Sequence, residues 1–138
     1  MTKSWTKSEA EKVAELTSMV YQQGSTWVFQ ETDIETGTTR LSRGHTQKSS
    51  ERQLKIWRRE RVEALLRADP QAPAYVLRVW HENPSWKGEG VWHWASTHWY
   101  TTEEEAKLAM EPKAIADPSP HQVLEIPRGE LPGHFTVA

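Results

Sequence analysis

Tryptophan is the residue type that most constrains what this chain can fold into. Eight of its 138 residues are Trp, and five of these lie between positions 80 and 99. An indole ring carries a large, rigid apolar area and a single hydrogen-bond donor. A cluster of Trp therefore forms either the core of a small domain or an adhesive surface for a partner. The fold must provide one of these two environments along residues 80–99.

Charge and cysteine content exclude several classes of protein. Lys and Arg number 17 and Asp and Glu number 19, so the net charge is -2. This excludes a strongly basic nucleic-acid binder and a strongly acidic DNA mimic. The chain has no Cys, which excludes disulfide scaffolds, thiolate zinc sites and Cys nucleophiles. No apolar run approaches the roughly 20 residues of a membrane span, and residues 1–12 contain no signal-peptide h-region. We therefore expect a cytoplasmic protein that does not enter a membrane.

Helix caps, hydrophobic periodicity and turn residues predict one α+β domain over residues 1–126. The expected order is α-ββ-α-ββ-α-β, with an antiparallel sheet and the helices packed on one of its faces. Helices are predicted over 7–23, 50–68 and 101–110, and strands over 26–33, 38–43, 75–82, 91–100 and 121–126. Residues 127–138 are expected to form a C-terminal arm or a disordered tail.

Each predicted helix opens on a capping box, in which a Ser or Thr side chain and a Glu or Gln three residues later satisfy free backbone donors. The three boxes are Thr6 with Glu9, Ser50 with Gln53, and Thr101 with Glu104. Gly24 is expected to end the first helix, because glycine accepts the left-handed backbone of a helix terminus. Pro70 and Pro112 are expected to end the second and third helices.

The register of the 75–82 and 91–100 hairpin decides which Trp residues reach water. Placing Val79 opposite Trp94 gathers Trp92 and Trp94 with the apolar residues of the first strand, and so builds one wholly apolar face. Placing Trp80 opposite Trp94 instead builds a ladder of three Trp beside Arg78 and buries His93. We expect the first register because it gives a cleanly amphipathic sheet. Trp92 and Trp94 are then core residues.

A group of Trp and basic residues is left outside that core. It consists of Trp80, Trp86, Trp99, Arg78, Lys87 and His93. Exposed Trp with Arg is a common composition of protein-binding hot spots, and the same rings could stack on single-stranded bases. The competing structural interpretation is that the third helix or the C-terminal arm covers these residues.

The second helix carries a basic ridge. Arg52, Lys55 and Arg59 follow i, i+3, i+7 spacing and could follow a phosphate backbone. Glu51 and Glu63 stand four residues from basic partners, so a salt-bridged, solvated face is the competing interpretation.

Catalytic and metal constellations are not recognisable. His93 and His98 lie five apart on one strand and point to opposite faces, so with His81 they offer only two of the three converging ligands that zinc needs. No Gly-x-Ser-x-Gly elbow or phosphate loop is present. We expect no catalytic residue, no metal and no cofactor.

These observations predict a non-enzymatic protein-binding module, an adaptor or inhibitor of the small kind that mobile elements encode. Single-stranded nucleic-acid binding through Trp stacking and the basic helix is the alternative. A small metal-dependent hydrolase is a third possibility. The sequence leaves the partner and the oligomeric state open.

Overall fold

A computed structural model describes residues 5–44, 46–82 and 89–138. The protein is α+β, as expected, and its described part contains three α-helices and seven strands arranged in two sheets. The predicted element order is confirmed, with one further strand after the first helix and one at the C-terminal end. The chain divides into two compact units, Met1–Ala68 and Asp69–Ala138, which are called the first and second units below.

The first unit is a three-stranded antiparallel sheet with two helices. Its elements are α1 (Lys7–Leu16), β1 (Ser18–Gln23), β2 (Thr26–Thr32), β3 (Thr39–Gly44) and α2 (Gln47–Arg67), and the strand order is β1-β2-β3. Both helices pack on the sheet and on each other. Val28 and Phe29 of β2 and Leu66 of α2 supply buried core residues.

The first helix is shorter than predicted, because its last third is a strand. Thr6 caps the helix as expected, accepting a hydrogen bond from the Glu9 backbone N–H at 3.2 Å. The helix ends at Leu16, and β1 pairs with β2 from Ser18 to Gln23. Gly24, with φ +63°, lies in the two-residue turn of this hairpin instead of at a helix terminus. Cross-strand pairing with β2 overrides the weak helical periodicity of this segment.

The second helix begins earlier than its predicted cap. Thr46, not Ser50, is the N-cap, and its hydroxyl accepts a hydrogen bond from the Ser49 backbone N–H at 3.1 Å. Ser50 lies inside the helix, fully buried, and its hydroxyl has no hydrogen-bond partner in the described part of the chain. Only Ser50 has a Gln three residues later, since Ser49 stands at that distance from Thr46, so the full capping-box pattern marked a residue inside the helix.

The second unit is a four-stranded sheet covered by one helix. Its elements are β4 (Pro73–Glu82), β5 (Gly90–Tyr100), α3 (Glu103–Ala116), β6 (His121–Pro127) and β7 (Thr136–Val137), and the strand order is β6-β4-β5-β7. Only the β5–β7 pair is parallel among the described strands. Helix α3 covers one face, where Ala106 packs with Leu77 and Tyr100.

The third helix starts one residue later than predicted and runs past its predicted end. Its N-cap is Thr102, and Pro112 lies within the helix, which continues to Ala116. Proline inside a helix removes its own N–H and crowds the carbonyl four residues earlier, here that of Leu108, yet α3 continues past it.

The register expected for the second hairpin is wrong. Arg78 pairs with Trp94 and Trp80 pairs with Trp92, whereas Val76 pairs with Trp99. An irregularity between Val76 and Arg78 separates these two registers. From Val76 to Arg78 β4 advances by two residues while β5 advances by five, so β5 carries the extra residues. Trp99, paired with Val76, therefore lies on the same face of the sheet as Trp92 and Trp94, and the C-terminal segment buries it there.

The C-terminal segment, residues 127–138, packs on the sheet of the second unit and does not extend as a tail. Residues Arg128–Glu130 form a short 3-10 helix, and β7 pairs with β5 at His98 and Trp99. Phe135 and Leu131 are buried. The segment therefore supplies apolar contacts to the sheet.

No helix among the described residues has the length and apolar character that crossing a membrane requires.

Candidate protein-binding surface

Four side chains of β4 and β5 form a connected aromatic and cationic surface on the second unit. They are Arg78, Trp80, Trp92 and Trp94, which we call the aromatic surface. The antiparallel pairs Arg78–Trp94 and Trp80–Trp92 place all four on one face of the sheet. Trp92 and Trp94 are 37% and 45% exposed, which is high for indole rings.

The geometry of the aromatic surface is ordered by ring contacts. The Arg78 guanidinium lies 4.3 Å from the centroid of the Trp92 ring, a cation–π contact. Trp80 meets the same ring edge-on, with centroids 5.4 Å apart and planes at 66°. Trp94 meets Phe135 edge-on at 5.4 Å, so the C-terminal segment supports this end of the surface. The exposed rings are therefore held by their neighbours and present a preformed surface.

Arg78 keeps hydrogen-bonding capacity for a partner. Its Nε donates to the Gln122 side-chain oxygen at 2.7 Å, which orients the guanidinium. No carboxylate forms an ion pair with Arg78 within the described residues. A cavity of about 390 Å³ opens beside it, lined by Arg78, Trp92, His93 and Trp94. An acceptor group that enters this cavity can reach a guanidinium already flanked by indole.

The structure brings together only part of the predicted site. Arg78 and Trp80 lie on the aromatic surface, whereas His93 pairs with Val79 on the opposite face of the hairpin and only borders the cavity. Trp99 does not: it is fully buried, and the Arg128 guanidinium lies 5.4 Å from its ring. The competing interpretation, cover by the C-terminal arm, is correct for Trp99. Trp86 and Lys87 lie outside the described residues.

Trp92 and Trp94 were missed as surface residues because the register was misassigned. The only signal for them in the sequence is the alternative pairing that places several Trp beside Arg78. The expected apolar face exists, but Val79, Leu77 and Tyr75 share it with residues of α3 in place of these two indoles.

Histidine and carboxylate groups lie on the other face of the same hairpin. The His81 and His93 rings are 5.3 Å apart, and His81 Nε2 lies 3.3 Å from an Asp117 carboxylate oxygen. Hydrogen bonds from the Ser119 backbone N–H and hydroxyl, and then from His81, lower the pKa of Asp117 to about 2. Within the described residues, no group of three or more His, Asp or Glu side chains is arranged to hold a metal ion.

The basic ridge of α2 is exposed. Arg52, Lys55 and Arg59 all face solvent and form no ion pair with the described residues. Of the ion pairs expected between residues four apart on α2, only that of Arg67 with Glu63 forms, at 2.8 Å. Carboxylates on the same helix therefore neutralise less of the positive charge of the ridge than the spacing of charges predicts.

The first unit also contains a polar cleft that sequence reasoning did not find. Two cavities of about 390 and 480 Å³ share Glu31, Arg40 and Trp57 as lining residues. Arg61 lines the first cavity, with Nη2 3.6 Å from Asp33, too long for a hydrogen bond. Charges of both signs line the cleft, so it has no clear preference for an anion or a cation.

Comparisons with known proteins do not assign this surface. No protein-family model matches the chain, and neither the curated proteins nor the solved structures give a significant match. The function is therefore inferred from the geometry of the aromatic surface alone.

Proposed function

We propose that the protein is a non-enzymatic binding module that recognises another protein through the aromatic surface. The observation that supports this most strongly is the exposure of Trp92 and Trp94 beside a guanidinium that no carboxylate of the described chain neutralises. Trp and Arg supply most of the binding energy at protein interfaces when a partner excludes water from them. Exposing this much indole without a partner keeps apolar area in contact with water.

The chemistry of the surface favours a partner segment that offers a carboxylate next to an apolar side chain. The carboxylate would accept hydrogen bonds from Arg78 within the cavity, and the apolar group would cover Trp94. We further propose an adaptor or inhibitor acting in the cytoplasm, where a chain without cysteine needs no oxidising compartment.

A single-stranded nucleic acid is the second candidate, because the α2 ridge leaves three exposed cations without ion pairs. Charge argues against it at the aromatic surface itself. Residues 69–138 carry five positive and ten negative charges, a net charge of -5, whereas residues 1–68 carry twelve and nine, a net charge of +3. Bases stacked on these rings would bring their phosphate groups close to the second unit, whose negative charge would repel them.

The test compares three proteins in affinity capture from host extract. These are the unaltered chain, the double variant Arg78→Ala with Trp92→Ala, and the control Ile115→Ala, which removes an exposed apolar side chain from α3. A partner should be retained by the first and third proteins and lost by the double variant. Titration with the purified partner should then show binding at least tenfold weaker for the double variant.

Two outcomes would contradict the proposal. One is capture of the same proteins, with unchanged affinity, by all three chains. The other is quenching of Trp fluorescence by an oligothymidylate at low salt that is reversed by added salt and abolished in the double variant. That second result would instead assign the surface to single-stranded nucleic acid.

A further inference from the structure

The outer edge of β5 is unpaired along most of its length. β7 covers this edge only opposite His98 and Trp99, and no other described strand pairs with it. On the other edge of the same sheet, β6 carries Glu125 and Pro127, a charge and a residue without an N–H, which discourage pairing with another chain.

The backbone groups of Trp92 and Trp94 point toward this free edge. The Trp80 N–H donates to the Pro120 carbonyl at 2.9 Å, on the side of β4 away from β5. Trp80 and, two residues earlier, Arg78 therefore form non-hydrogen-bonded pairs with Trp92 and Trp94. The N–H and C=O groups of these two Trp residues are thus directed outward and available to another strand.

Around His93 the free edge lacks charged residues and proline, two features that discourage strand addition, and the irregularity of β5 begins only beyond Trp94. Residues 91–97, Val-Trp-His-Trp-Ala-Ser-Thr, include no Lys, Arg, Asp, Glu or Pro. Aromatic and β-branched residues of this kind favour extended backbone. Val91, on the face opposite the indoles, is 59% exposed. Such an uncharged strand can pair with the same strand of a second copy running in the opposite direction, because the outward donors and acceptors of alternate residues then face each other.

We propose that β5 pairs antiparallel with β5 of a second copy of this chain, across a two-fold axis at His93. In this register Trp92 of each copy forms a hydrogen-bonded pair with Trp94 of the other, giving four main-chain hydrogen bonds and two cross-strand indole pairs. The two sheets then form one continuous sheet, and the two aromatic surfaces lie side by side on one face. The dimer stands independently of the protein-binding function proposed above.

The register predicts a specific cross-link. His93 of one copy faces His93 of the other as a non-hydrogen-bonded pair, with Cα atoms about 4.5 Å apart, which permits a disulfide. The chain has no cysteine of its own, so single Cys variants report on one position each. Under mild oxidation with diamide, His93→Cys should form a covalent dimer much faster than Val91→Cys, which would face Ala95 of the second copy. Leu41→Cys, exposed on β3, measures random collision.

Sedimentation of the unmodified protein tests the dimer without cross-linking. We expect a reversible monomer–dimer equilibrium, weakened at least tenfold by His93→Lys, which would place two ammonium groups opposite each other at the axis. Met19→Lys is the matched control, because Met19 is half exposed on β1, the uncharged edge of the other sheet. Circular dichroism of each variant verifies that it is folded.

Three results would overturn the inference. They are a chain that stays monomeric up to about 0.1 mM, equal cross-linking of His93→Cys and Val91→Cys, and a dimer that is lost in Met19→Lys but kept in His93→Lys. None of these results bears on capture of a different protein by the aromatic surface, so the two proposals fail separately.

Discussion

Trp94 and Trp99 lie five residues apart on one strand, yet Trp94 is 45% exposed and Trp99 is fully buried. A strictly alternating strand would place them on opposite faces, but the irregularity in the β4–β5 pairing puts both on the face that carries Arg78, where the C-terminal segment covers Trp99. At the residue scale, the role of each indole therefore follows from the strand pairing and from the segment that covers it, and not from its neighbours in sequence.

Removing each indole in turn should separate core from surface. Trp99→Ala leaves a large cavity beside Arg128, and we expect it to destabilise the protein by about 3–5 kcal/mol. Trp94→Ala loses one edge-on ring contact and exposes little new area, so its cost should be about 1 kcal/mol or less. Urea unfolding followed by far-ultraviolet circular dichroism measures both. Equal costs for the two variants would contradict the burial assigned to the two indoles.

Asp117 gives a pH-dependent contribution to stability. Hydrogen bonds from Ser119, and then from His81, lower its pKa in the folded protein from 3.8 to about 2. A carboxyl group whose folded pKa is lowered stabilises the fold above its unfolded pKa, and this contribution is lost as the pH falls through the folded value. The difference in unfolding free energy between the unaltered protein and Asp117→Asn should thus be constant above about pH 4 and shrink between pH 4 and 2. A difference that grows on acidification would contradict this assignment.

At the scale of elements, the start of α2 shows that a capping-box pattern can fall inside a helix, since Thr46 is the cap and Ser50 is buried one turn later. Thr46→Ala removes the cap and should cost about 1 kcal/mol. Ser50→Ala should be neutral or stabilising, because it removes a buried hydroxyl without a hydrogen-bond partner in the described chain. Thermal unfolding of the two variants compares them directly. The opposite order of stabilities would place the cap at Ser50.

The elements also show which signals in the sequence are dependable. The cap at Thr6, the turn at Gly37 with φ +71°, and the strands on either side of that turn all depend on interactions between residues close in the chain. β1 and β7 were missed, because a segment of modest periodicity becomes a strand only when a partner strand is beside it. Pro112 failed as a helix stop, since α3 continues past it to Ala116.

At the scale of the whole molecule, the sequence predicts one domain, whereas the folded chain divides into two compact units. A single domain unfolds in one cooperative transition. Val28→Ala, in the buried core of the first unit, should then lower the stability of both units equally, by about 2 kcal/mol. Hydrogen exchange at increasing urea, read on peptides from each unit, provides the measurement. Reduced protection confined to residues 1–68 would show two independent domains.

The sequence by itself determined the α+β class, the element order, most element centres and the presence of a Trp and Arg group that the fold had to place. These features arise from local rules: periodicity, caps, and the backbone preferences of glycine and β-branched residues. Only the tertiary structure decided which indoles meet water, because the strand pairing brings Trp92, Trp94 and Trp99 onto one face and the C-terminal segment fully buries only Trp99. These contacts join parts of the chain that are distant in sequence, and no local pattern encodes them.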